Sequence, residues 1–185
     1  LMAYGGKGSV ASSPVDLNIL IKGNALMLEA GMPGDVTLRQ NLARSLPPTL
    51  ADAAQMQQAI TALLNNAVEA IGGARGVVTV STGTETIGPD FNRQNYVGES
   101  LTPGEYLWVE VSDTGAGLPP GIAFHMFDPF FTTKASHRGL GLSSVLLTVR
   151  RHRGGIAYAS EPGRGTAFRI YLPIVVPRAA PAVDA

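Results

Sequence analysis

The chain has 185 residues, with 14 basic and 14 acidic side chains and a formal net charge of zero at pH 7. This length fits a single domain, and the even charge balance lacks the basic surface that a DNA- or RNA-binding domain carries. The sequence contains no cysteine, which excludes disulfides, thiolate zinc sites and cysteine nucleophiles. No apolar run reaches the ~18 residues that a membrane-spanning helix needs, and no signal-peptide pattern opens the chain. We therefore expect a soluble, cytoplasmic domain.

Both ends of the chain have the composition of linkers. Residues 1–14 are rich in glycine and serine, and residues 175–185 are rich in proline and alanine. The sequence therefore predicts one folded domain over residues 15–174, cut from a longer protein.

The first half of the domain predicts two helices and one strand. Asp16 caps a run of apolar residues at helical spacing that reaches residue 29. Residues 36–42 alternate in the manner of a strand. Asp52, with Gln55 three residues later, begins a second apolar helical stripe, and the pair of glycines at 72–73 ends it.

The second half is dominated by strands. We predict strands over residues 76–82, 105–113, 156–160 and 166–172, with a polar connection over residues 83–104. A short helix over residues 121–126 and a longer one over residues 141–151 are also predicted. Strands with interspersed helices favour an α+β fold with a mixed sheet over a regular βαβ array. The three histidines have no zinc-site spacing and are predicted to lie at the surface: His125, His137 and His152.

An aspartate and two glycines follow the strand over residues 105–113. The carboxylate of Asp113 only accepts hydrogen bonds and suits the exocyclic amine of a base. Gly115 and Gly117 let the backbone turn sharply and approach a flat ligand. The alternative is an ordinary tight turn after a strand, because Asp and Gly are common turn residues.

A second glycine pair opens the helix over residues 141–151. In Gly139-Leu140-Gly141 the free N–H groups of a helix start can bind an anion, and Lys134 and Arg138 lie just upstream. A flexible loop before a helix is the alternative. No P-loop motif, protein-kinase catalytic motif or nucleophile elbow is present in the sequence.

Two further segments carry candidate residues. Asn66 follows Asn65 inside an apolar helix and offers an amide oxygen suited to Mg²⁺, unless it faces solvent. Glu69, one turn later, could polarise a metal-bound water, although a surface carboxylate is the default. Residues 127–134 hold three of the six phenylalanines around a proline, which is typical of a lid or of a loop held to the core by aromatics.

Taken in order, these segments and residues 163–168 resemble the catalytic, ATP-binding domain of sensor histidine kinases, within the group that includes gyrase, mismatch-repair and chaperone ATPases. The resemblance covers residues 14–173, and residues 1–8 resemble the end of the preceding dimerisation and phosphotransfer domain. Asn66 matches the N box, and residues 127–134 match the F box. The three glycine boxes match Asp113 with Gly115 and Gly117, Gly139 with Gly141, and Gly163 through Thr166.

The resemblance implies an α+β fold, the Bergerat-type α/β sandwich, with a mixed, mostly antiparallel sheet of about five strands and helices on one face. ATP would lie between the helices and a lid. Asp113 would accept a hydrogen bond from the adenine amine and Asn66 would hold Mg²⁺. The remaining implied ATP-binding residues are Gly115, Gly117, Lys134, Arg138, Gly139, Leu140, Gly141 and Thr166.

The resemblance also implies an activity and partners. A protein-histidine kinase of a two-component system would pass the γ-phosphoryl group to a histidine on its dimerisation domain, with a response regulator receiver domain downstream. That histidine is absent from this sequence, so the fragment is not expected to autophosphorylate. No contact with nucleic acid or membrane is expected. The alternative is a nucleotide-binding regulatory or interaction module of the same fold.

The chain departs from the family pattern at two places. Ala62 stands four residues before Asn66, where many kinases have a polar residue and the hydrolysing relatives have glutamate. Alanine cannot activate a water, so we expect little intrinsic ATP hydrolysis. Residues 136–138 (Ser-His-Arg) replace part of the glycine-rich segment of the family.

Overall fold

The computed structural model describes residues 12–91, 95–98, 100–119, 121–131 and 141–174. These residues form eight strands, three α-helices and one 3-10 turn. In chain order they are β1 (Ser13–Val15), α1 (Leu17–Gly31), β2 (Val36–Asn41), β3 (Thr49–Ala51), α2 (Ala53–Ile71), β4 (Gly76–Ile87), β5 (Tyr96–Gly98), β6 (Gly104–Asp113), the 3-10 turn (Ile122–Phe124), α3 (Gly141–Arg151), β7 (Gly155–Glu161) and β8 (Gly165–Pro173).

The first two helices begin at the capping residues that the sequence predicts. The Asp16 carboxylate accepts hydrogen bonds from the backbone N–H groups of Asn18 and Ile19, at 2.9 and 3.3 Å. Asp52 accepts from two N–H groups at the start of α2, and the Gln55 side chain donates back to it at 3.1 Å. Gly72 ends α2 with a φ of +65°. Both caps supply acceptors for N–H groups that a helix start leaves without partners.

The main sheet has six strands in the order β2-β4-β6-β8-β7-β5. Only β2 and β4 run parallel, and every other neighbouring pair is antiparallel. The predicted mixed, mostly antiparallel α+β sheet is confirmed, with one strand more than the expected five. The additional strand, β5, lies inside the predicted polar connection over residues 83–104. A separate two-stranded sheet pairs β1 with β3.

The three helices pack on one face of the main sheet and form the principal core with it. The helical contribution comes from apolar side chains at helical spacing, which are buried completely or nearly so: Leu17, Ile21, Ile60, Leu63, Val145 and Val149. Alternate residues of β4, β6 and β8 meet them, as expected for strands with one face toward a helical layer. Within the described part of the chain, no helix is both long and apolar enough to cross a membrane.

The other face of the sheet carries a smaller aromatic cluster. Tyr171 is fully buried there, and Phe91 packs edge-on against it with the ring centroids 5.7 Å apart. Nearby, Arg169 lies 4.1 Å from the ring centroid of Trp108 and donates to the Glu110 carboxylate at 2.8 Å. Burial lowers the pKa of Arg169, but the charge of Glu110 and the hydrogen bonds to Glu110 and Tyr171 together outweigh burial, and the pKa is raised. Part of the connection between β4 and β6 therefore covers this face of the sheet.

His152 is buried, so the prediction that it lies at the surface is wrong. Only 6 % of its surface is exposed. Its Nδ1 lies 2.7 Å from the Thr148 carbonyl oxygen, and its Nε2 accepts a hydrogen bond from the Asp52 backbone N–H at 2.9 Å. Because Nε2 is an acceptor, the proton of the neutral ring sits on Nδ1. The ring joins the end of α3 to the capping residue of α2, across 100 positions of sequence. Of the other histidines, His125 is exposed as predicted and His137 lies outside the described residues.

Candidate functional site

Asp113 is the last residue of β6 and is almost entirely buried, with 9 % of its surface exposed. Its Oδ1 atom accepts hydrogen bonds from the backbone N–H of Gly115 at 2.8 Å and of Thr166 at 3.3 Å. Backbone donors stabilise the ionised form of a carboxylate. The structure therefore holds a hydrogen-bond acceptor at the carboxyl end of β6, with its orientation set by two neighbouring segments.

The turn after Asp113 packs directly on α2. The backbone N–H of Ala116 donates to the Ala70 carbonyl oxygen at 3.0 Å. A side-chain carbon on Gly115 would run into that same carbonyl and would lie 2.8 Å from the Asp113 Oδ1 atom. Gly115 is therefore needed for close packing, in addition to the sharp turn and ligand approach predicted for it.

The turn between β7 and β8 packs against the same segment. The Gly163 backbone N–H donates to the Ala116 carbonyl oxygen at 2.7 Å. Gly117 has a φ of +71°, which favours glycine, and a side chain on it would meet the Glu161 carbonyl. The structure thus brings together two of the predicted glycine segments, and Thr166 lies beside Asp113 where they meet.

Asn66 lies one helical turn before Ala70 and faces the start of α3. It is partly buried, so it does not simply face solvent. A side-chain carbon on Gly141, the first residue of α3, would lie 3.7 Å from the Asn66 Nδ2 atom and 3.8 Å from its Oδ1 atom. The helix start predicted to bind an anion is therefore adjacent to the predicted metal-binding amide.

Four of the predicted site residues lie outside the described part of the chain: Lys134, Arg138, Gly139 and Leu140. The described portion of the F-box segment covers residues 127–131. Phe127 packs against Tyr158 and Phe168 of the sheet, with ring centroids 6.4 and 6.3 Å away. Phe130 is 76 % exposed and has a φ of +68°, which is uncommon for a bulky residue. The first phenylalanine thus holds the segment to the core, while Phe130 projects from it.

The donor set around Asn66 fits a hard cation that is held mostly by a ligand and by water. Within residues 12–91, 95–98, 100–119, 121–131 and 141–174, no group of three or more His, Cys, Asp or Glu side chains could hold a metal alone. Mg²⁺ typically takes one or two protein oxygens and completes its shell with substrate phosphates and water. A single amide oxygen at Asn66 is consistent with that mode. The nearby Glu69 is exposed and has another interaction of its own.

A separate groove of about 330 Å³ lies between α1 and α2. It is lined by residues that include Asn24, Leu64 and Asn65, but neither Asn66 nor Asp113 borders it. Asn65 and Asn66 therefore lie on different surfaces of α2: Asn65 borders this groove, and Asn66 lies near the start of α3.

Ser160 contacts both glycine turns near Asp113 and is not among the predicted site residues. Its Oγ atom accepts from the Leu118 backbone N–H at 2.8 Å and lies 2.9 Å from the Thr166 Oγ1 atom. The alternation of residues along β7 could have indicated that Ser160 faces the core. Ser160 follows Ile156 and Tyr158 at alternate positions, so it shares their core-facing side of β7.

The family described as "Histidine kinase-, DNA gyrase B-, and HSP90-like ATPase" matches residues 51–176. Among curated relatives, the chain is 31 % identical to the sensor kinase CckA of Brucella abortus, over 95 % of this chain and 18 % of the relative. It is 35 % identical to the sensory histidine kinase/phosphatase NtrB of Rhodobacter capsulatus, over 87 % of this chain and 43 % of the relative. The chain therefore spans less than half the length of these two relatives.

Solved structures with the same fold include a histidine kinase catalytic domain and a full-length protein in complex with AMPPNP. The nucleotide-free catalytic domain of ThkA superposes with a TM-score of 0.69 at 22 % identity, covering 88 % of this chain and 95 % of that domain. Full-length ShkA in complex with AMPPNP superposes with a TM-score of 0.70 at 22 % identity, covering 92 % of this chain and 33 % of ShkA. At this level of identity the likeness establishes the fold.

Proposed function

The chain belongs to the family of histidine kinase-, DNA gyrase B- and HSP90-like ATPases, and on that premise we propose that it binds Mg-ATP and donates the γ-phosphoryl group to a histidine of a dimerisation domain. The full protein would then be a sensor histidine kinase of a cytoplasmic two-component pathway, with a response regulator receiver domain as the next acceptor. The curated relatives named above are sensor kinases, which supports this assignment over an independent ATPase.

The observation that carries the proposal is the fixed carboxylate of Asp113. Its two backbone donors come from the turn after β6 and from the start of β8, so the acceptor cannot swing away without breaking both contacts. An oriented, almost buried carboxylate matches the exocyclic amine of adenine, which only donates. It would repel the 6-oxo group of guanine or hypoxanthine, which only accepts.

The phosphate end of the nucleotide would lie between α2 and α3. The 11-residue α3 begins at Gly141, where its first N–H groups lack intrahelical partners and its dipole favours an anion. Asn66 borders this helix start and would hold Mg²⁺ through its amide oxygen. Mg²⁺, when bound, neutralises charge on the phosphate oxygens. Lys134, Arg138, Gly139 and Leu140 complete the proposed phosphate contacts, and Gly115, Gly117 and Thr166 complete those near the base.

Phosphoryl transfer of this kind depends mainly on positioning and on charge neutralisation. Ala62 lies one turn before Asn66 and packs against the core. Its methyl group cannot orient or deprotonate a water, so transfer to a presented histidine should dominate over hydrolysis. The same alanine is compatible with the second candidate function, a regulatory module that binds nucleotide without transferring phosphate.

A thermal melt with nucleotide tests the binding step. In the presence of Mg²⁺, ATP or ADP at about one hundred times its dissociation constant should add ~2.7 kcal/mol to the free energy of unfolding. For this size of domain the midpoint should rise by roughly 5–10 °C. GTP should give no comparable rise. If none of the three nucleotides raises the midpoint, the proposed function is wrong at its first step.

A transfer assay separates the kinase from the regulatory module. The domain is mixed with a separately produced dimerisation domain from the same full-length protein and with γ-labelled ATP. Label on the phosphoacceptor histidine supports the kinase, and its loss in Asn66→Ala ties transfer to the proposed metal-binding amide. Tight ATP binding without any label on the histidine would favour the regulatory module.

A further inference from the structure

Ser160 makes three polar contacts beside the candidate base site. Its Oγ atom accepts from the Leu118 N–H at 2.8 Å, lies 3.2 Å from the Gly165 carbonyl oxygen, and lies 2.9 Å from the Thr166 Oγ1 atom. These contacts connect the turn after β6 to the start of β8. Ser160 pairs with Thr166 across β7 and β8, and the Thr166 N–H donates to Asp113.

The direction of each hydrogen bond follows if all three contacts are satisfied at once. A hydroxyl group has one proton to donate and two lone pairs to accept with. The Gly165 carbonyl can only accept, so it takes the Ser160 proton, and one Ser160 lone pair is already used by the Leu118 N–H. All three contacts are satisfied only if the Thr166 hydroxyl donates its proton to the second lone pair of Ser160.

These hydrogen bonds determine what the Thr166 side chain can do. Thr166 is buried, with only 6 % of its surface exposed. Once its proton is committed to Ser160, its Oγ1 atom can only accept from a ligand. Two acceptors would then stand side by side near the base, the Asp113 carboxylate and the Thr166 hydroxyl oxygen. Such a pair suits the two N–H bonds of an exocyclic amine and is unfavourable for a carbonyl oxygen.

We propose that Ser160 is a specificity-determining residue, which selects a 6-amino purine by holding Thr166 as a hydrogen-bond acceptor. This inference rests on the proposed nucleotide site but adds a residue that does not itself touch the base. Ser160 is a positioning residue, because it acts through Thr166. Without it, the Thr166 hydroxyl could rotate and donate to a 6-oxo purine.

The test compares ATP with ITP, which carries an oxygen in place of the 6-amino group. Affinities for both are measured by calorimetry on the wild-type domain and on Ser160→Ala, Ser160→Thr and Thr166→Val. Wild type should prefer ATP, and Ser160→Ala should reduce the ATP/ITP affinity ratio by about three- to tenfold, the value of one hydrogen bond. Ser160→Thr retains the hydroxyl and should keep the wild-type ratio. Ser45→Ala, in a loop outside the site, is the matched control and should also keep it.

A purely structural role for Ser160 would weaken both nucleotides equally and leave the ratio unchanged, which would overturn the inference. Thr166→Val should also lower the ratio, and adding Ser160→Ala to it should cause no further change. If Ser160→Ala does not fold, an unchanged ratio in Thr166→Val alone overturns the inference. If wild type binds neither nucleotide, the proposed function fails as well. If wild type prefers ATP but the variants keep that preference, only the role of Ser160 is refuted.

Discussion

Substitution of His152 tests whether its hydrogen bonds between the end of α3 and the start of α2 stabilise the domain. In His152→Phe the ring volume is nearly kept, but the Asp52 N–H loses the acceptor that the imidazole Nε2 provides. The Thr148 carbonyl also accepts from the His152 backbone N–H, so it is not left without a donor. The loss is therefore mainly one partly buried N–H without a partner, which costs about 1–3 kcal/mol of unfolding free energy.

His152→Ala adds an empty volume to that loss. His152 is only 6 % exposed, and large-to-small substitutions at such buried sites cost about 2–5 kcal/mol of unfolding free energy. For a domain of this size each kcal/mol lowers the melting midpoint by roughly 2–4 °C. We expect a decrease of roughly 2–12 °C for the phenylalanine variant and a larger one for alanine, measured by urea unfolding and by a thermal melt.

The control is His125→Ala, which removes an exposed histidine whose contact with Asp128 lies at the surface. It should change the unfolding free energy by no more than about 0.5 kcal/mol. If His152→Phe is as stable as this control, then the hydrogen bond from Asp52 does not contribute to stability, and the reasoning fails.

Three further predictions concern the site and the sheet. Asp113→Asn should weaken ATP binding by about 1–3 kcal/mol through the lost charge-assisted hydrogen bond; an unchanged affinity by calorimetry would reject the role of Asp113 in binding adenine. Gly115→Ala should lower the melting midpoint even without nucleotide, because the new methyl group has no room against α2; a midpoint equal to that of wild type would contradict this packing. On the opposite face of the sheet, Arg169→Met should destabilise the domain by about 1–3 kcal/mol, since it leaves a carboxylate that is only 27 % exposed without its cation. The control Arg164→Met removes an exposed ion pair and should cost no more than about 0.5 kcal/mol in the same urea titration; equal losses for the two variants would show that burial does not matter here.

The sequence predicts the parts of the fold that local rules determine. Asp16 and Asp52 cap α1 and α2 as expected, because capping depends only on residues within one turn. The longer strands β2, β4, β6, β7 and β8 also appear in the predicted order, because apolar and polar residues alternate along much of each strand. Asp113, Gly115, Gly117 and Thr166 are brought together as the resemblance implies, although their role in binding ATP stays a prediction.

Features that depend on distant partners were not predictable in this way. The strand β5 has only three residues in a polar stretch, and it forms because Val97 pairs with Ile156 at the edge of the sheet. His152 is a polar residue directly after the amphipathic helix α3, and its acceptor role depends on a backbone group 100 positions away. The contact of Ser160 with the Leu118 N–H likewise forms only when the turn after β6 is folded against β7.

The pairing of β1 with β3 has a consequence for how this domain connects to others. Val15 lies opposite Thr49, and the Thr49 hydroxyl donates to the Pro173 carbonyl at 2.9 Å. The first and last strands of the domain are thus both tied to the same short strand, so the polypeptide enters and leaves the folded body at one point. The chain that precedes residue 12 and the chain that follows residue 174 therefore start close to each other.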